Sequence, residues 1–137
     1  MILHCSYEEL TALDAAVERV LDAIDRGGVA APPDVLPDLE GLAPRLNGDI
    51  SIETLDEQVS IQKAVEFLLA GARERTDTFI LDEYASAESA ILSYFEYAHL
   101  LTVLDRVRQI GHEMRSIIEV MTGRPPDEAT GRIPFDD

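Results

Sequence analysis

With 137 residues, 46% hydrophobic and 28% charged, the chain fits one globular domain with a sizeable core and is too apolar to be disordered. Its 27 Asp and Glu against 11 Lys and Arg give a formal net charge of −16, which disfavours nucleic acid and anionic membrane as partners. No apolar run is long enough to span a bilayer, and Met1–Cys5 lacks the features of a signal peptide, so a cytoplasmic chain is expected.

Cys5, the only cysteine, can form no internal disulfide, in keeping with a reducing compartment. Lys63 is the only lysine. An acid-rich, lysine-poor surface suits concentrated salt, as in a halophile, and also follows from a genome that favours arginine codons.

In chain order, Ile2-Leu3-His4 comes first, a short stretch able to pair as a strand with Asp49–Glu53 further on. Ser6-Tyr7-Glu8-Glu9 then reads as a capping box, with Cys5 and Leu10 placed to form a hydrophobic staple across it. Leu10, Leu13, Val17, Val20 or Leu21, and Ile24 recur at helical spacing, and Gly27-Gly28 ends that first helix. Residues 27–48 form an irregular connection: Pro32-Pro33, Pro37, Pro44, Gly41 and Gly48 forbid a long helix. Val35, Leu36, Leu39, Leu42 and Leu46 are too apolar for a free linker, so one or two helical turns packed on a bundle are expected there. Asp49-Ile50-Ser51-Ile52-Glu53 alternates with period two, as a short strand does.

A second capping box, Thr54-Leu55-Asp56-Glu57, opens the second helix. Its stripe is Val59 or Ile61, Val65, Leu68, Ala72 and Phe79, running to about Glu83, with a break at Thr76-Asp77-Thr78 as the alternative. Tyr84-Ala85-Ser86 makes the turn, and Ser86 caps the third helix. There Tyr97, Leu100, Leu104, Val107, Gly111, Met114, Ile118 and Met121 alternate spacings of three and four, the seam of a coiled-coil-like packing. A second stripe, Ile91, Phe95, Val103, Ile110 and Ile117, widens that apolar face. Gly123 with Pro125-Pro126 stops the helix, leaving 123–137 as a mobile tail.

The fold class is therefore mainly α: one helical-bundle domain over 1–122, built on a long antiparallel hairpin of residues about 55 to 122. At 1.5 Å per residue the last helix is roughly 50 Å long and the first roughly 30 Å, too short to cover the hairpin. Burial of the remaining apolar face against a second copy predicts a homodimer or higher homo-oligomer, with Tyr97, Leu100, Leu104, Val107, Met114 and Ile118 as interface residues.

Chemistry-bearing residues are few. Glu96 and His99 form a Glu-x-x-His pair on one helical face, the spacing of carboxylate-bridged di-iron bundles, with Glu66, Glu57 or Glu83 as the further ligand. That pattern makes a ferritin-like iron, manganese or zinc bundle the alternative function. The blander reading is a boundary pair between Leu92 and Val103. Arg106 and His112, with five residues between them, loosely resemble the arginine–histidine pair of the HEPN nucleases. Six helical steps set the two on different faces, however, and Val107 stands where that family carries a polar residue. Gly123-Arg124-Pro125-Pro126 and Gly131-Arg132-Ile133-Pro134 repeat a Gly-Arg-x-Pro pattern that could dock a protein partner. With no phosphate-binding loop, zinc-type cysteine pairing or hydrolase triad to be traced, a non-catalytic assembly or interaction module is the first expectation, with no cofactor.

Overall fold

Local signals set the element boundaries in the computed structural model, which describes residues 1–27, 32–82, 84 and 86–123. The first helix, α1 (Tyr7–Asp25), starts at a complete capping box: the Ser6 hydroxyl accepts from the Glu9 N–H at 3.1 Å, and the Glu9 carboxylate accepts from the Ser6 N–H at 2.7 Å. Gly27, at φ 80°, takes the left-handed conformation just past its end. Gly28, expected to share that stop, lies outside the described residues, as do Glu83, Ala85 and the Gly-Arg-x-Pro tail from 124 onward.

The Pro/Gly-rich connection folds into α2 (Leu36–Leu42) and a 3-10 turn at Ala43–Arg45. Pro37 sits in the first turn of α2, where a missing N–H costs nothing, and Leu39 and Leu42 are buried. Strands β1 (Ile2–Leu3) and β2 (Ile50–Ser51) pair antiparallel, as expected, with Leu3 opposite Ile50 and Ile2 opposite Ser51. Leu3 and Ile50 turn inward while Ile2 and Ser51 turn out, which is the period-two alternation of the sequence.

The third helix, α3 (Leu55–Leu81), departs from expectation at its start. Thr54 caps it by accepting from the Glu57 N–H at 3.1 Å, but the box is not completed. Instead the Glu57 carboxylate lies 3.7 Å from Arg45 on the neighbouring turn, a tertiary partner that the local pattern cannot reveal. No break occurs at Thr76–Thr78. The Thr76 and Thr78 hydroxyls donate to the Ala72 and Glu74 carbonyls one turn back, at 2.8 and 2.9 Å, so the helix absorbs its polar stretch.

Helix α4 (Ala87–Thr122) begins at Ser86, which accepts from the Ser89 N–H at 3.1 Å. It ends at Gly123, whose φ of 72° lets its N–H close on the Glu119 carbonyl at 2.9 Å.

Together α3 and α4 form the expected antiparallel hairpin, and their seam is the centre of the core. Leu100, Leu104, Val107, Gly111, Met114 and Ile118 are buried in one body with Leu55, Ile61, Val65, Leu68 and Ala72. α1 runs antiparallel along α4, so that Glu9 meets Arg106 and Arg19 meets Glu96. It adds Leu13, Ala16 and Val17 to the core. α2 lies on α3, where the Ser60 hydroxyl donates to Asp38 and Lys63 stands 3.3 Å from the same carboxylate. The wider stripe of α4 divides: Val103 and Ile110 are buried, whereas Ile91, Phe95 and Ile117 stay exposed, as does Met121 at the end of the seam.

Three buried polar side chains were not evident in the apolar pattern. The Thr76 and Ser93 hydroxyls share a hydrogen bond of 2.8 Å across the hairpin. Gln58 is 0% exposed and donates from Nε2 to the Val107 carbonyl at 2.9 Å and to Gln62 at 2.8 Å, while its own Oε1 has no partner. Gly111 makes this possible, because a Cβ there overlaps the Gln58 amide.

Helix propensity favours alanine over glycine by about 1 kcal/mol. Displacing a buried, hydrogen-bonded amide costs about 2–3 kcal/mol. Gly111→Ala is therefore expected to destabilise the parent by about 1–2 kcal/mol and to stabilise a Gln58→Ala background. Urea unfolding of the four proteins tests this; the same sign in both backgrounds contradicts it.

Candidate functional site

Glu96 is placed by α4 beside α1, and its carboxylate is committed to arginine. Arg19 donates to both oxygens, at 2.7 and 3.2 Å, and Arg75 stands 3.7 Å away on α3. A carboxylate held by two guanidiniums has its lone pairs engaged and is a poor metal ligand. Glu66 lies on the other side of the hairpin, accepting from Gln62 at 2.7 Å and standing 3.9 Å from Arg108, and Glu57 faces Arg45. Partly buried His99 is not joined by these carboxylates: no cluster of three or more His, Cys, Asp or Glu suited to a metal occurs among the described residues. The ligand set expected from Glu96, His99 and Glu66 is thus not assembled. The cause is the arginines of α1 and α3, which the local Glu-x-x-His spacing does not report.

Arg106 is equally committed. It donates to Glu9 Oε1 at 2.6 Å and to the His4 carbonyl at 2.9 Å, joining α4 to the start of α1. His112 is exposed and takes no part in that contact. Burial alone pushes the Glu9 carboxyl up, but the Arg106 guanidinium and the Ser6 amide donate to it and hold it below the usual carboxylate range. Half-buried Cys5 is nearby, and burial with the negative charge of Glu9 pushes its thiol up to about 11. At neutral pH the thiol is therefore protonated and a weak nucleophile. On the exposed side, the His4 ring bonds Asp49 at 2.9 Å and holds that carboxyl below its ordinary value.

Of the six expected interface residues, Leu100, Val107, Met114 and Ile118 are buried within the chain's own core and offer nothing to a second copy. These four thus belong to the core of the hairpin itself. The seam is filled by α3 of the same chain, whose buried stripe runs from Leu55 to Thr76. Tyr97 and Leu104 differ, since both also line an open groove of about 530 Å³ on the hairpin. The walls of that groove come from α3 and α4 alone. Leu69, Ala70 and Leu81 supply its apolar side on α3, with Glu66, Glu74, Asp77, Arg73 and Arg108 at the rims.

Helical spacing extends the groove on α4. Tyr94, Tyr97, Leu101, Leu104 and Arg108 follow one another at steps of three and four, a second seam rotated from the first. Tyr94 is 55% exposed and Leu101 38%, so this second seam is open at those two positions, half-buried at Tyr97 and buried at Leu104. Beside it, Ile80, Leu81, Tyr84, Ile91 and Phe95 extend the exposed apolar surface around the turn of the hairpin.

The opposite groove is narrower, with a recess of about 260 Å³. Arg19 of α1 enters between Arg75, Phe79, Ser93 and Glu96, and the Arg75 guanidinium lies 5.6 Å from the Phe79 ring centroid. One side of the hairpin is therefore occupied by α1 and the other is open.

No described helix is long and apolar enough to cross a membrane. No protein family, curated protein or solved structure matches the chain.

Proposed function

We propose that the chain is a non-catalytic helical assembly module that self-associates through the α3–α4 hairpin. The observation that carries this reading is the exposed apolar part of the second seam of α4, Tyr94 and Leu101, beside the open groove with Leu69 and Ala70 on its far wall. Apolar side chains aligned along a helix pair lower their free energy by leaving water against a complementary surface. A hairpin of this form is half of an antiparallel four-helix bundle, and a second hairpin supplies the other half.

Charge opposes the association without abolishing it. Each chain carries a formal net charge of −16, so two copies repel at long range, and added salt screens that repulsion while leaving apolar contact intact. Light scattering across a concentration series, at low and at high salt, is the test. A dimer or larger species, heavier in high salt, is expected; a monomer at every concentration in both salts rules the proposal out.

A further inference from the structure

We infer that the groove between Glu66–Leu81 of α3 and Tyr97–Arg108 of α4 docks a second copy of itself about a two-fold axis, with Arg73 pairing across the interface; this rests on the self-association proposed above. Most of the basic side chains among the described residues are already matched within the chain. Arg19 and Arg75 hold Glu96, Arg26 holds Asp22, Arg45 meets Glu57, Lys63 meets Asp38 and Arg106 holds Glu9. Arg73 is exposed in the groove and, among the described residues, has no acidic partner within ion-pair distance. In so acidic a chain, an unmatched arginine beside an apolar furrow is a cation with its counter-charge still to come.

That counter-charge is present on the same wall. Glu66, Leu69, Ala70, Arg73, Glu74 and Asp77 share one stripe of α3, which continues to Leu81 and is about 22 Å long. Arg73 and Glu74 are at its middle. A two-fold axis perpendicular to the helix at that point makes the two α3 helices antiparallel. It sets Arg73 of each copy opposite Glu74 of the other, and Ala70 opposite Asp77.

An isologous contact requires a surface that complements its own image, and this wall carries both signs in the order such an axis needs. The Arg73–Glu74 pair, made twice about the axis, is the contact that only a second copy in this register supplies. Small Ala70 lets the two backbones approach, and Tyr97 and Leu104 lie at the floor, where an aromatic anchor contributes most to an interface.

Sedimentation of four variants tests the assignment. Ala70→Arg places a long charged side chain on an exposed helical position of good propensity, so the helix content of the chain is expected to be unchanged. It is expected to be monomeric at concentrations where the parent is dimeric, in low and high salt alike. Arg73→Glu is expected to weaken the dimer at least about tenfold in low salt, with a smaller deficit in high salt. Tyr7→Ser and Val120→Ser, at exposed positions outside the groove and its apolar surround, are expected to dimerise like the parent.

The inference is overturned by an Ala70→Arg protein that still dimerises, by an Arg73→Glu dimer as tight as the parent in low salt, or by loss of the dimer in either control. Thr78→Arg, on the same wall, is the second variant if Ala70→Arg disturbs the helix, and it must act in the same direction. A monomeric parent in both salts removes the self-association reading as well, so the two failures are told apart.

Discussion

Leu100→Ala is expected to lower the unfolding free energy of the isolated chain by about 2–5 kcal/mol, a large part of the total for a domain of this size. Leu100 is fully buried on α4, in the same core as Val65 and Leu68 of α3. Truncation removes three carbons and leaves a void that the two rigid helices close only in part. The measurement is urea or thermal unfolding at a protein concentration low enough to hold the chain monomeric. The result separates a core role from an interface role: a variant that unfolds with the parent's midpoint, and loses only its ability to associate, returns Leu100 to the interface.

Arg106→Ala is expected to cost about 2–3 kcal/mol near neutral pH, through the charge-assisted bond to Glu9 and the contact with the His4 carbonyl. Glu9 is 3% exposed, so the variant leaves a carboxylate buried with only the Ser6 amide to offset its charge. The sign with pH follows from linkage. Because the folded-state carboxyl of Glu9 lies below its ordinary 4.5, its stabilising contribution is fully present above that value and is lost as pH falls through the folded pKa. Without Arg106, burial dominates and the carboxyl moves up, so acid relieves the variant instead. The gap between variant and parent is thus widest near neutrality and narrows on acidification. Unfolding curves at several pH values between ~7 and ~3 check this; a gap that grows in acid contradicts the assigned role. Glu9→Ala is milder, since Arg106 keeps access to water on its exposed side.

The sequence made some of these features plain and hid others. Both N-terminal helix caps at Ser6 and Ser86, the stop at Gly123 and the three-four rhythm of α4 are local, and each appears where neighbouring residues require it. The short ribbon was also legible, because Ile50-Ser51-Ile52 alternates and Ile2-Leu3 offers the matching pair. What escaped depends on partners distant in the chain. Glu57 looked like half of a capping box until Arg45 came within reach, and Glu96 looked like a ligand until Arg19 and Arg75 surrounded it. Glu9 shows its local role in the cap, but its ion pair lies 97 residues away.

The open groove was the least legible feature. Heptad spacing shows that α4 has a wide apolar face, but only the position of α1 decides which flank is covered. With α1 laid along the Glu96–Arg106 side, Tyr97 becomes a groove residue and Leu104 a buried one at the groove's edge, while Leu100 and Val107 lie wholly in the core. All four belong to one seam in the sequence, and nothing local divides them.

The same arrangement has a kinetic consequence. α3 and α4 are joined by a short turn, so their pairing starts from residues adjacent in the chain, and such contacts form rapidly. β1 and α1 reach the hairpin through contacts closed over long loops, each carrying a larger entropic barrier. Folding is therefore expected to begin with the hairpin and finish as the N-terminal segment clasps it. In stopped-flow refolding, Leu100→Ala is expected mainly to slow folding and Arg106→Ala mainly to speed unfolding, and the reverse pattern refutes this order. A hairpin that forms before its N-terminal clasp spends its first moments with both grooves bare, free to meet either its own α1 or another chain.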